Sequence, residues 1–543
     1  MNLFFRLFFL CISLSLTAQQ VSLIPWPQKI STPPGTLELN SESSVKLIRT
    51  KEQDVSLFLT QLRKASGNTF SVKNSGKSAF TFETDKNLKV PENGYTLTIN
   101  STGAHVKAKN SLGMFYATQT LRQLLPLEIE GNKNSGIRWT LPYVNIEDYP
   151  TYEWRGYMQD VSRTFYGVDV IKRYLDLMAL YKMSTFHWHL TDDQGWRIEI
   201  KKYPLLTSEK TTQFHRTEKQ PAYRSGFFTQ EQVRDIVQYA KERHIEIVPE
   251  IDVPGHSWPV LLVYPELGIN RRNYPNHIFP FVSSWAYWGN QFTPNTLDPT
   301  QEKTYAFLDD VFKELATLFP GRYIHFGGDE VRHVLWEKEP HIQDFMKSHQ
   351  MTNVTQLQSY FVRRVSTSIR KLGKIPMGWN DILADEKGLP KETAIMSWLG
   401  EEDIKNSTAA GFMTVATPAS HVYLDITQAD RNDGTPSDLA YSNTNSIDRI
   451  YSYNPADGLT ADERKRLLGV QGNMWTALTQ ELVDMNVHVF PRLLAIAEVG
   501  WLTNNNKNYE RFQNSLEREK QRFDKLNVDY YKPGGYTAAQ WTP

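Results

Sequence analysis

The stretch 323-YIHFGGDEV-331 runs from apolar residues through two glycines into two adjacent acids, Asp329 and Glu330. A short apolar run followed by turn residues is typical of a buried strand that ends in a loop. Neighbouring carboxylates repel each other, and burying such a pair is costly unless the two groups are paired or used. Alone, the stretch fits a solvated turn, so its meaning depends on whether other strands end in the same way.

Eight strand-like runs of this kind occur from Arg155 onward, mostly separated by segments of helical length. They are RGYMQDVS (155–162), TFHWHLT (185–191), IEIVPEID (245–252), YIHFGGDE (323–330), IPMGWND (375–381), AIMSWL (394–399), MTVATPAS (413–420) and LGVQGNMW (468–475). Helical periodicity is clearest in 168–182, 229–243, 352–372 and 484–498. Eight β units that alternate with helices predict an α/β fold, the (β/α)8 TIM barrel.

In such a barrel the functional residues lie on the loops at the C-terminal ends of the strands. Polar and aromatic side chains are concentrated at these ends. They are Asp160, Arg163, His189, Asp192, Asp252, His256, Asp329, Glu330, Trp379, Trp398 and Trp475, and the stretch HVYLD after the seventh run adds Tyr423 and Asp425. The sequence therefore predicts that these side chains surround one cleft.

The segments outside the barrel give the domain organisation. Residues 1–18 have an early Arg6, a short apolar run and Ala18, which together predict a cleaved signal peptide and export to the periplasm, the cell surface or the medium. Alternating runs followed by a helix-like stretch predict a small α+β domain over 19–148. The barrel is predicted over 149–505, and a C-terminal helix and tail over 506–543 are expected to pack on it.

The composition narrows the class of partner. Lys plus Arg and Asp plus Glu are balanced at 60 each, so the chain has no basic excess for nucleic acid. Fourteen Trp and 26 Tyr are many for core packing alone, and flat rings suit the apolar faces of sugars. No transmembrane run follows the first segment, and the single Cys11 lies within that segment, so a mature chain would have no disulfide.

Two histidines at strand positions i and i+2, His187 and His189, would share one face of their strand. Some barrel hydrolases present metal ligands in this way, and Asp192, Asp193 and His256 would lie nearby. A metal-dependent hydrolase is therefore one alternative. A histidine that only forms a hydrogen bond in the core is the simpler interpretation of each, and Asp192 with His256 could instead orient a third group.

Glycosidic cleavage is the other interpretation of the strand ends. It needs an acid to protonate the leaving oxygen and a negative group to stabilise or capture the developing oxocarbenium ion. Asp329 and Glu330 are adjacent, so their side chains point in different directions and do not flank a bond as two ordinary catalytic carboxylates do. If both act, they have different tasks.

The ordered stretches RGYMQDVSRTF, HWHLTDDQGWRIEI, PEIDVPGHS, HFGGDEV, MGW, HVYLD, QGNMW and FPRLLAIAEVGW resemble the family 20 glycoside hydrolases, the β-N-acetylhexosaminidases. The resemblance covers essentially the whole chain after the signal segment. It implies an exo-acting, retaining enzyme that removes terminal non-reducing GlcNAc or GalNAc from a glycan without a metal or organic cofactor. In this family the nucleophile is the substrate's own 2-acetamido oxygen, and the intermediate is an oxazolinium ion.

The resemblance assigns the catalytic roles residue by residue. Glu330 would be the general acid and then the base, and Asp329 would accept the acetamido N–H and stabilise the intermediate. Tyr423 would donate a hydrogen bond to the acetamido oxygen. Asp192 and His256 would form a relay behind Glu330 that keeps its pKa suited to acid and base duty.

The resemblance also assigns residues that bind the sugar. Trp379 and Trp398 would wall the pocket for the acetamido methyl, and Trp475 would stack under the ring. Arg163 would bind the hydroxyls at positions 3 and 4, and Asp425 would contribute at 4 or 6. The remaining acids and histidine at or near these positions are interpreted as scaffold, namely Asp160, Asp252, His325 and Glu498.

One departure from the family concerns sugar recognition. Ala477 stands where the family usually has a glutamate that bonds the hydroxyl at 4 or 6, which suggests a broader preference there or room for a 6-O substituent such as sulfate. Asn380, Asp381 and Ser184 also differ from the usual residues, and we assign them no consequence. A sugar-binding protein without catalysis is a further alternative, which the intact acidic pair argues against.

Overall fold

The structure is a computed structural model that describes residues 21–73, 76–131, 136–213, 225–269, 278, 295–429, 441–479 and 481–532. These residues form two compact units, one containing Pro27–Tyr149 and the other containing Ile24–Trp26 and the chain from Pro150 onward. The predicted signal peptide (1–18) and the end of the predicted tail, after residue 532, lie outside the described residues.

The first unit has a six-stranded mixed sheet and a separate two-stranded pair. Its strands are β1 (Lys29–Ser31), β2 (Thr36–Leu39), β3 (Val45–Ile48), β4 (Phe80–Thr84), β5 (Tyr95–Asn100), β6 (Gly103–Ala108), β7 (Trp139–Pro142) and β8 (Val144–Asp148). The sheet order is β1-β8-β5-β6-β4-β3, and β2 pairs with β7. Helices α1 (Ser56–Ser66) and α2 (Ser111–Leu124) complete the unit.

Alternation and capping explain these elements. In β5 every second residue is buried, so one face of the strand contributes Leu97 and Ile99 to the core. Helix α2 begins after Asn110, whose side-chain oxygen accepts a hydrogen bond from the Gly113 N–H. Both elements coincide with stretches that the sequence marks as strand and helix.

The second unit contains a closed parallel barrel. Its strands are β9 (Trp154–Asp160), β10 (Thr185–His189), β11 (Thr191–Asp192), β12 (Gly195–Trp196), β13 (Glu246–Glu250), β14 (Tyr323–His325), β15 (Ile375–Trp379), β16 (Ala394–Ser397), β17 (Thr414–Ala416), β18 (Ile426–Thr427), β19 (Tyr441–Thr444) and β20 (Leu467–Met474). The barrel order is β10-β13-β14-β15-β16-β17-β20-β9. Every predicted run overlaps one barrel strand, and the closed order confirms the (β/α)8 TIM-barrel class.

The helices of this unit lie mostly between the barrel strands. They are α3 (Val168–Leu180), α4 (Glu209–Thr212), α5 (Gln230–Glu242), α6 (Trp258–Val263), α7 (Glu302–Leu318), α8 (Val334–Lys338), α9 (Pro340–Ser348), α10 (Val354–Lys371), α11 (Glu401–Ala409), α12 (Ala419–Val422), α13 (Ile447–Ser452), α14 (Ala461–Arg464), α15 (Leu482–Val489), α16 (Arg492–Trp501) and α17 (Tyr509–Leu526). No helix in the described part of the chain is both long and apolar enough to cross a membrane.

One helix prediction was wrong. The sequence predicts a single helix over 484–498, but the structure has α15 and α16 with a break at Phe490 and Pro491. Phe490 is extended, with φ −104° and ψ 139°, because a residue before proline is disfavoured in the helical region. The break redirects the chain while both helices stay buried.

The C-terminal helix α17 packs within the second unit. Its Glu519 accepts a 2.7 Å hydrogen bond from the Tyr181 hydroxyl, which lies just after α3. Phe523 lies 5.0 Å from Phe490 between ring centroids. Asn508 caps the helix start by accepting a hydrogen bond from the Arg511 N–H.

Candidate active site

The loop after β14 presents two carboxylates with very different exposure. The Asp329 side chain is 13% exposed, whereas that of Glu330 is 62% exposed. Gly327 and Gly328 have φ of 71° and 93°, and Glu330 itself has φ of 47°. A Cβ on Gly327 would lie 1.8 Å from the Asp252 Oδ1, so only glycine fits this backbone path. The turn therefore separates the two acids, one directed inward and one outward.

His256 lies between these two acids and a third carboxylate, that of Asp192. Its Nε2 is 3.8 Å from the Asp329 Oδ2 and 3.7 Å from the Glu330 Oε2. Its Nδ1–H donates to the Asp192 Oδ1 at 3.1 Å. Burial acts to lower the pKa of His256, but the carboxylates of Asp192 and Asp252 raise it well above its usual value. His256 is thus a cation at neutral pH that faces both candidate catalytic acids.

Asp192 joins three cationic groups. Besides the bond from His256, its Oδ2 accepts a hydrogen bond from the His189 Nε2 at 3.0 Å and lies 2.6 Å from the Arg163 Nη2. Burial acts to raise the pKa of Asp192, but Arg163 and His256 hold it well below its usual range. This carboxylate remains ionised and fixes the orientation of the imidazole of His256.

Asp329 has an unusual electrostatic environment. Burial raises its pKa to about 7; the charge of His256 opposes this rise and that of Asp381 adds to it. Its Oδ1 is buried without a hydrogen-bond partner, and the same is true of the Asp252 Oδ1. A ligand N–H is the natural partner for such an oxygen, because an unsatisfied buried acceptor is costly.

Asp381 is part of this site. In the sequence it differs from the family's usual residue, and no role was predicted for it. Its Oδ1 accepts a hydrogen bond from the Glu330 backbone N–H at 3.3 Å, and its Oδ2 accepts one from the Trp398 indole N–H at 2.8 Å. It therefore joins the loop of the outward acid to an aromatic side chain. A carboxylate directly after a barrel strand was the available signal.

Four aromatic side chains lie together next to the acids. Trp379 is 1% exposed, and the partly buried Trp398 and Trp475 pack against the core cluster that contains it. The rings of Trp379 and Trp475 are 5.8 Å apart, and the Tyr423 ring lies 6.2 Å from that of Trp398 and 6.3 Å from that of Trp475. The structure brings together all four aromatic residues that the resemblance assigns to the sugar.

Arg163 is held beside the aromatic cluster by three polar neighbours, Asp192, Gln194 and Asp160. Its Nε donates to the Gln194 Oε1 at 3.1 Å, and its Nη1 is 3.4 Å from the Asp160 Oδ2. The guanidinium carbon lies 5.0 Å from the centre of the Trp475 ring. Asp160, interpreted from the sequence as scaffold, also accepts the Thr476 N–H at 3.1 Å, so it joins the first and eighth strand loops.

The loop of Tyr423 and Asp425 is anchored by one buried arginine that the sequence did not single out. Arg492, at the start of α16, donates through its Nη1 to the Ile426 carbonyl at 2.8 Å and to the Asn445 carbonyl at 2.9 Å. Burial raises the pKa of Asp425 to about 7 although Arg492 acts against this rise. The Asp425 Oδ1 is buried without a hydrogen-bond partner.

Beneath the cleft, Glu250 contacts three histidines. Its Oε2 accepts from the His189 Nδ1 at 2.6 Å and lies 2.9 Å from the His187 Nε2, and its Oε1 is 3.0 Å from the His325 Nδ1. The same Oε1 accepts from the Trp379 indole N–H at 2.9 Å. Sequence reasoning missed Glu250; a charged residue inside an apolar strand was the signal that could have found it.

Four overlapping groupings in the described part of the chain have the residue types of a metal site, among them His189 with Glu250 and Asp252, and Asp192 with Asp193 and His256. His187, Glu250 and His325 offer ligand atoms within 4.8 Å of one another, but their side chains are fully buried, whereas a catalytic metal needs an open coordination position. The ligand atoms of Asp252, His256 and Asp329, beside the cleft, also lie within 4.8 Å of one another. His187 and His189, the predicted metal-binding pair, both lie against the Glu250 Oε2. Each ring also has a second polar neighbour at its other nitrogen.

Comparison with protein families gives two matches that together span most of the chain. Residues 152–504 match the description "Glycosyl hydrolase family 20, catalytic domain". Residues 20–149 match "Glycosyl hydrolase family 20, domain 2". The first match contains all the site residues described above.

Individual relatives agree with these matches. The chain is 34% identical to a β-hexosaminidase of Porphyromonas gingivalis, covering 94% of this chain and 64% of the relative's length. It is 32% identical to a β-hexosaminidase of Vibrio furnissii, covering 89% and 77% of the two chains. The solved structure of a family 20 exo-β-N-acetylglucosaminidase from Vibrio harveyi with N-acetylglucosamine superimposes with a TM-score of 0.82, at 31% identity, over 94% of this chain and 78% of that one.

Proposed function

The chain belongs to glycosyl hydrolase family 20, and from this premise we propose that it is an exo-acting, retaining β-N-acetylhexosaminidase. Its substrate would be a glycan with a terminal non-reducing β-linked GlcNAc or GalNAc. The observation that carries the proposal is the placement of Asp329 and Glu330, each within 3.8 Å of the His256 Nε2, next to the aromatic cluster. The Vibrio harveyi enzyme's complex with N-acetylglucosamine supports this choice of sugar.

In the first step the substrate supplies its own nucleophile. Asp329 accepts the acetamido N–H, and the acetamido carbonyl oxygen forms a bond to the anomeric carbon as the glycosidic C–O bond breaks. Glu330 gives its proton to the leaving oxygen. Asp329 stabilises the positive oxazolinium intermediate. Intramolecular attack is favoured because well-oriented groups reach effective molarities of about 10⁵ to 10⁸ M.

In the second step Glu330 acts as a base. It takes a proton from water, the water oxygen bonds to the anomeric carbon, and the bond to the acetamido oxygen breaks. Two displacements at one carbon retain the anomeric configuration. The exposure of Glu330 supports this role, because its carboxylate can meet both the leaving group and water.

A connected series of charged groups leads from Arg163 to Glu330. His256 is held as a cation by Asp192, which is itself held by Arg163 and His189. A fixed positive charge 3.7 Å from the Glu330 Oε2 stabilises the carboxylate formed after proton transfer. Asp192 and His256 are therefore positioning residues for the acid in this proposal.

Hydrolysis of matched aryl glycosides tests the proposal. We expect rapid cleavage of the β-N-acetylglucosaminide or β-N-acetylgalactosaminide and essentially none of the plain β-glucoside, which carries no acetamido nucleophile. NMR of the first product should show the β anomer. Comparable cleavage of the glucoside would contradict substrate assistance. Binding of N-acetylhexosaminides without turnover would instead support a sugar-binding protein.

A finer proposal concerns the sugar hydroxyls at 4 and 6. Ala477 follows Thr476 at the rim of the eighth strand loop and places no carboxylate there. We propose that the enzyme tolerates a 6-O substituent such as sulfate, since a missing carboxylate removes repulsion toward an anion. The ratio of 6-sulfo-GlcNAc to plain GlcNAc hydrolysis should fall in Ala477→Glu. An unchanged ratio would remove this proposal.

Export is a separate proposal that rests on sequence alone. Residues 1–18 have the charge, apolar run and small final residue of a signal peptide, so we propose that the chain is exported to the periplasm, the cell surface or the medium. Fractionation of the native cells followed by N-terminal sequencing tests it. We expect the protein outside the cytoplasm with a new N-terminus near residue 19. A cytoplasmic chain that begins at Met1 would contradict export.

A further inference from the structure

Glu250 is a buried carboxylate that no step of the proposed mechanism uses. It is the last residue of β13, and its register pairs it with His189 of β10 and His325 of β14. Its Oε1 accepts the indole N–H of Trp379 at 2.9 Å, the hydrogen bond through which it reaches the proposed acetamido pocket. Its other oxygen accepts the His189 Nδ1–H at 2.6 Å.

The histidines contact both oxygens of this carboxylate, with His325 at Oε1 and His187 and His189 at Oε2. The His187 Nε2 lies 2.9 Å from the Glu250 Oε2, and the His187 Nδ1 is 3.1 Å from the Gln471 side-chain nitrogen. Burial acts to raise the pKa of Glu250, but His189 and His325 hold it well below its usual range. An ionised carboxylate in this surrounding cannot rotate without leaving buried cationic and polar groups unpaired, which is costly.

Trp379 is therefore held by one strong acceptor. Its ring centre lies 4.9 Å from that of His325 and 5.8 Å from that of Trp475, so its faces contact other rings while its single N–H is directed at Glu250. Hydrogen bonds to ionised acceptors are stronger and more directional than neutral ones. The tilt of the indole is set by where the Glu250 carboxylate lies.

We propose that Glu250 is a positioning residue that sets the depth of the acetamido pocket by fixing the indole of Trp379. This inference rests on the proposed function, in which Trp379 walls the pocket for the N-acyl methyl. A fixed wall admits an acetyl group and excludes longer acyl groups. One methylene in an apolar pocket is worth about 10- to 200-fold in discrimination between substrates.

The test compares Glu250→Asp with the wild-type enzyme on aryl β-glycosides of N-acetyl-, N-propionyl- and N-butanoylglucosamine. The shorter side chain keeps the charge but withdraws the carboxylate by one methylene, so Trp379 loses its acceptor. We expect the ratio of kcat/KM for N-acetyl over N-butanoyl substrate to fall about tenfold. A ratio within about twofold of the wild-type value would overturn the proposal.

Glu498→Asp is the matched control. Glu498 is also a fully buried glutamate, bonded to the Tyr451 hydroxyl at 2.8 Å and to the Trp26 N–H at 3.1 Å, and it is outside the site. The same shortening there should lower stability and leave the acyl ratio unchanged. A loss of packing alone affects both substrates of one protein equally, so the ratio separates positioning from general destabilisation.

A double-mutant cycle tests the route through the indole. Trp379→Phe keeps an aromatic ring but has no N–H to donate, so Glu250→Asp should cause no further change in the acyl ratio in that background. A full tenfold change there would overturn the proposal. Glu250→Gln, which keeps the length and loses the charge, should shift the ratio in the same direction by less, and it replaces Glu250→Asp if circular dichroism shows that variant to be unfolded.

The outcomes for the two proposals are distinguishable. Absence of N-acetyl substrate cleavage by the wild-type enzyme would contradict the proposed function. Normal cleavage of that substrate with an acyl ratio that is insensitive to Glu250 would contradict only the positioning role.

Discussion

At the scale of single residues, adjacent positions in the sequence have opposite environments. The expectation that Asp329 and Glu330 point in different directions agrees with their exposures of 13% and 62%. Their chemical roles stay predictions, since exposure alone does not assign a proton transfer. The inward acid has a raised pKa and a free buried oxygen, whereas the outward acid faces His256 and solvent.

Replacing either acid with its amide should greatly lower the rate of hydrolysis. For Glu330→Gln we expect kcat/KM for an aryl N-acetylglucosaminide to fall at least about 10²-fold, the usual worth of general acid–base catalysis. Asp329→Asn should cost a similar factor because the intermediate loses its counter-charge. Glu337→Gln, the same change at an exposed position in α8, is the control and should be neutral. Near wild-type rates in Asp329→Asn would remove its assigned role.

The pH profile should report the ionisation of Asp329. This group must be ionised to stabilise the positive oxazolinium intermediate, so kcat/KM should rise as pH increases through its pKa of about 7. Asp381 contributes to the raised value, so Asp381→Asn should lower the pKa and move the acidic limb to lower pH.

Rates from pH 4 to 8 with an uncharged aryl glycoside check this prediction about Asp381. Asp385→Asn, four residues further along the chain, is the control and should leave the acidic limb in place. Movement of the limb to higher pH in Asp381→Asn would contradict the assignment of the limb to Asp329.

At the scale of elements, the loop after β14 needs its glycines for two separate reasons. Gly327 and Gly328 both have positive φ, and a Cβ on either would also meet a neighbouring side chain, Asp252 or Ile382. The loop therefore cannot relax onto a more common backbone path without displacing groups of the site. The sequence stretch G-G-D-E is a consequence of this packing.

Gly327→Ala should lower the free energy of unfolding by more than the strain of a positive φ alone would. Gly373 also has positive φ, 74°, but a Cβ there would meet nothing within 4 Å. We expect Gly373→Ala to lower the free energy of unfolding by about 1 kcal/mol. Gly327→Ala should cost about 3 kcal/mol and also reduce activity, because Asp252 must move. Denaturant unfolding measures both, and equal losses would contradict this account of the loop.

Elements with a strong period were predictable from the sequence, and those that depend on tertiary contacts were not. The eight strand runs are short, apolar and end in polar residues, as the strands of a barrel do, so the sequence predicted these strands. The break between α15 and α16 was not predicted although Pro491 lies inside the periodic segment, because the apolar spacing continues on both sides of the proline. Glu250 was missed because its partners come from three other strands.

At the scale of the whole molecule, the barrel converts a scattered set of residues into one site. Arg163 and Trp475 are more than 300 residues apart in sequence yet lie 5.0 Å apart. The sequence predicted this meeting because the first and eighth strands of a barrel are neighbours. It could not predict which acids remain without partners, since this depends on side-chain packing.

Metal removal distinguishes the proposed mechanism from the metal-dependent alternative. In the proposed mechanism the nucleophile comes from the substrate and the acid is Glu330, so dialysis against a chelator should leave kcat/KM for the N-acetyl substrate unchanged. Metal analysis of the dialysed protein is the control for complete removal. Loss of activity that is restored by added zinc would support the metal-dependent alternative. The ligands would then be His187 and His189, or the grouping of Asp252, His256 and Asp329.

The anchoring of one loop by Arg492 has a consequence for how this enzyme can evolve. The guanidinium donates to the carbonyl of Ile426, in β18 shortly after Tyr423 and Asp425, and to that of Asn445, just after β19. Substitutions at either position should leave the loop in its present conformation while the arginine is present, and the loop should lose that conformation once the arginine is replaced, because both carbonyls then lose their donor. Sugar preference can therefore diversify at Tyr423 and Asp425 as long as Arg492 is inherited unchanged.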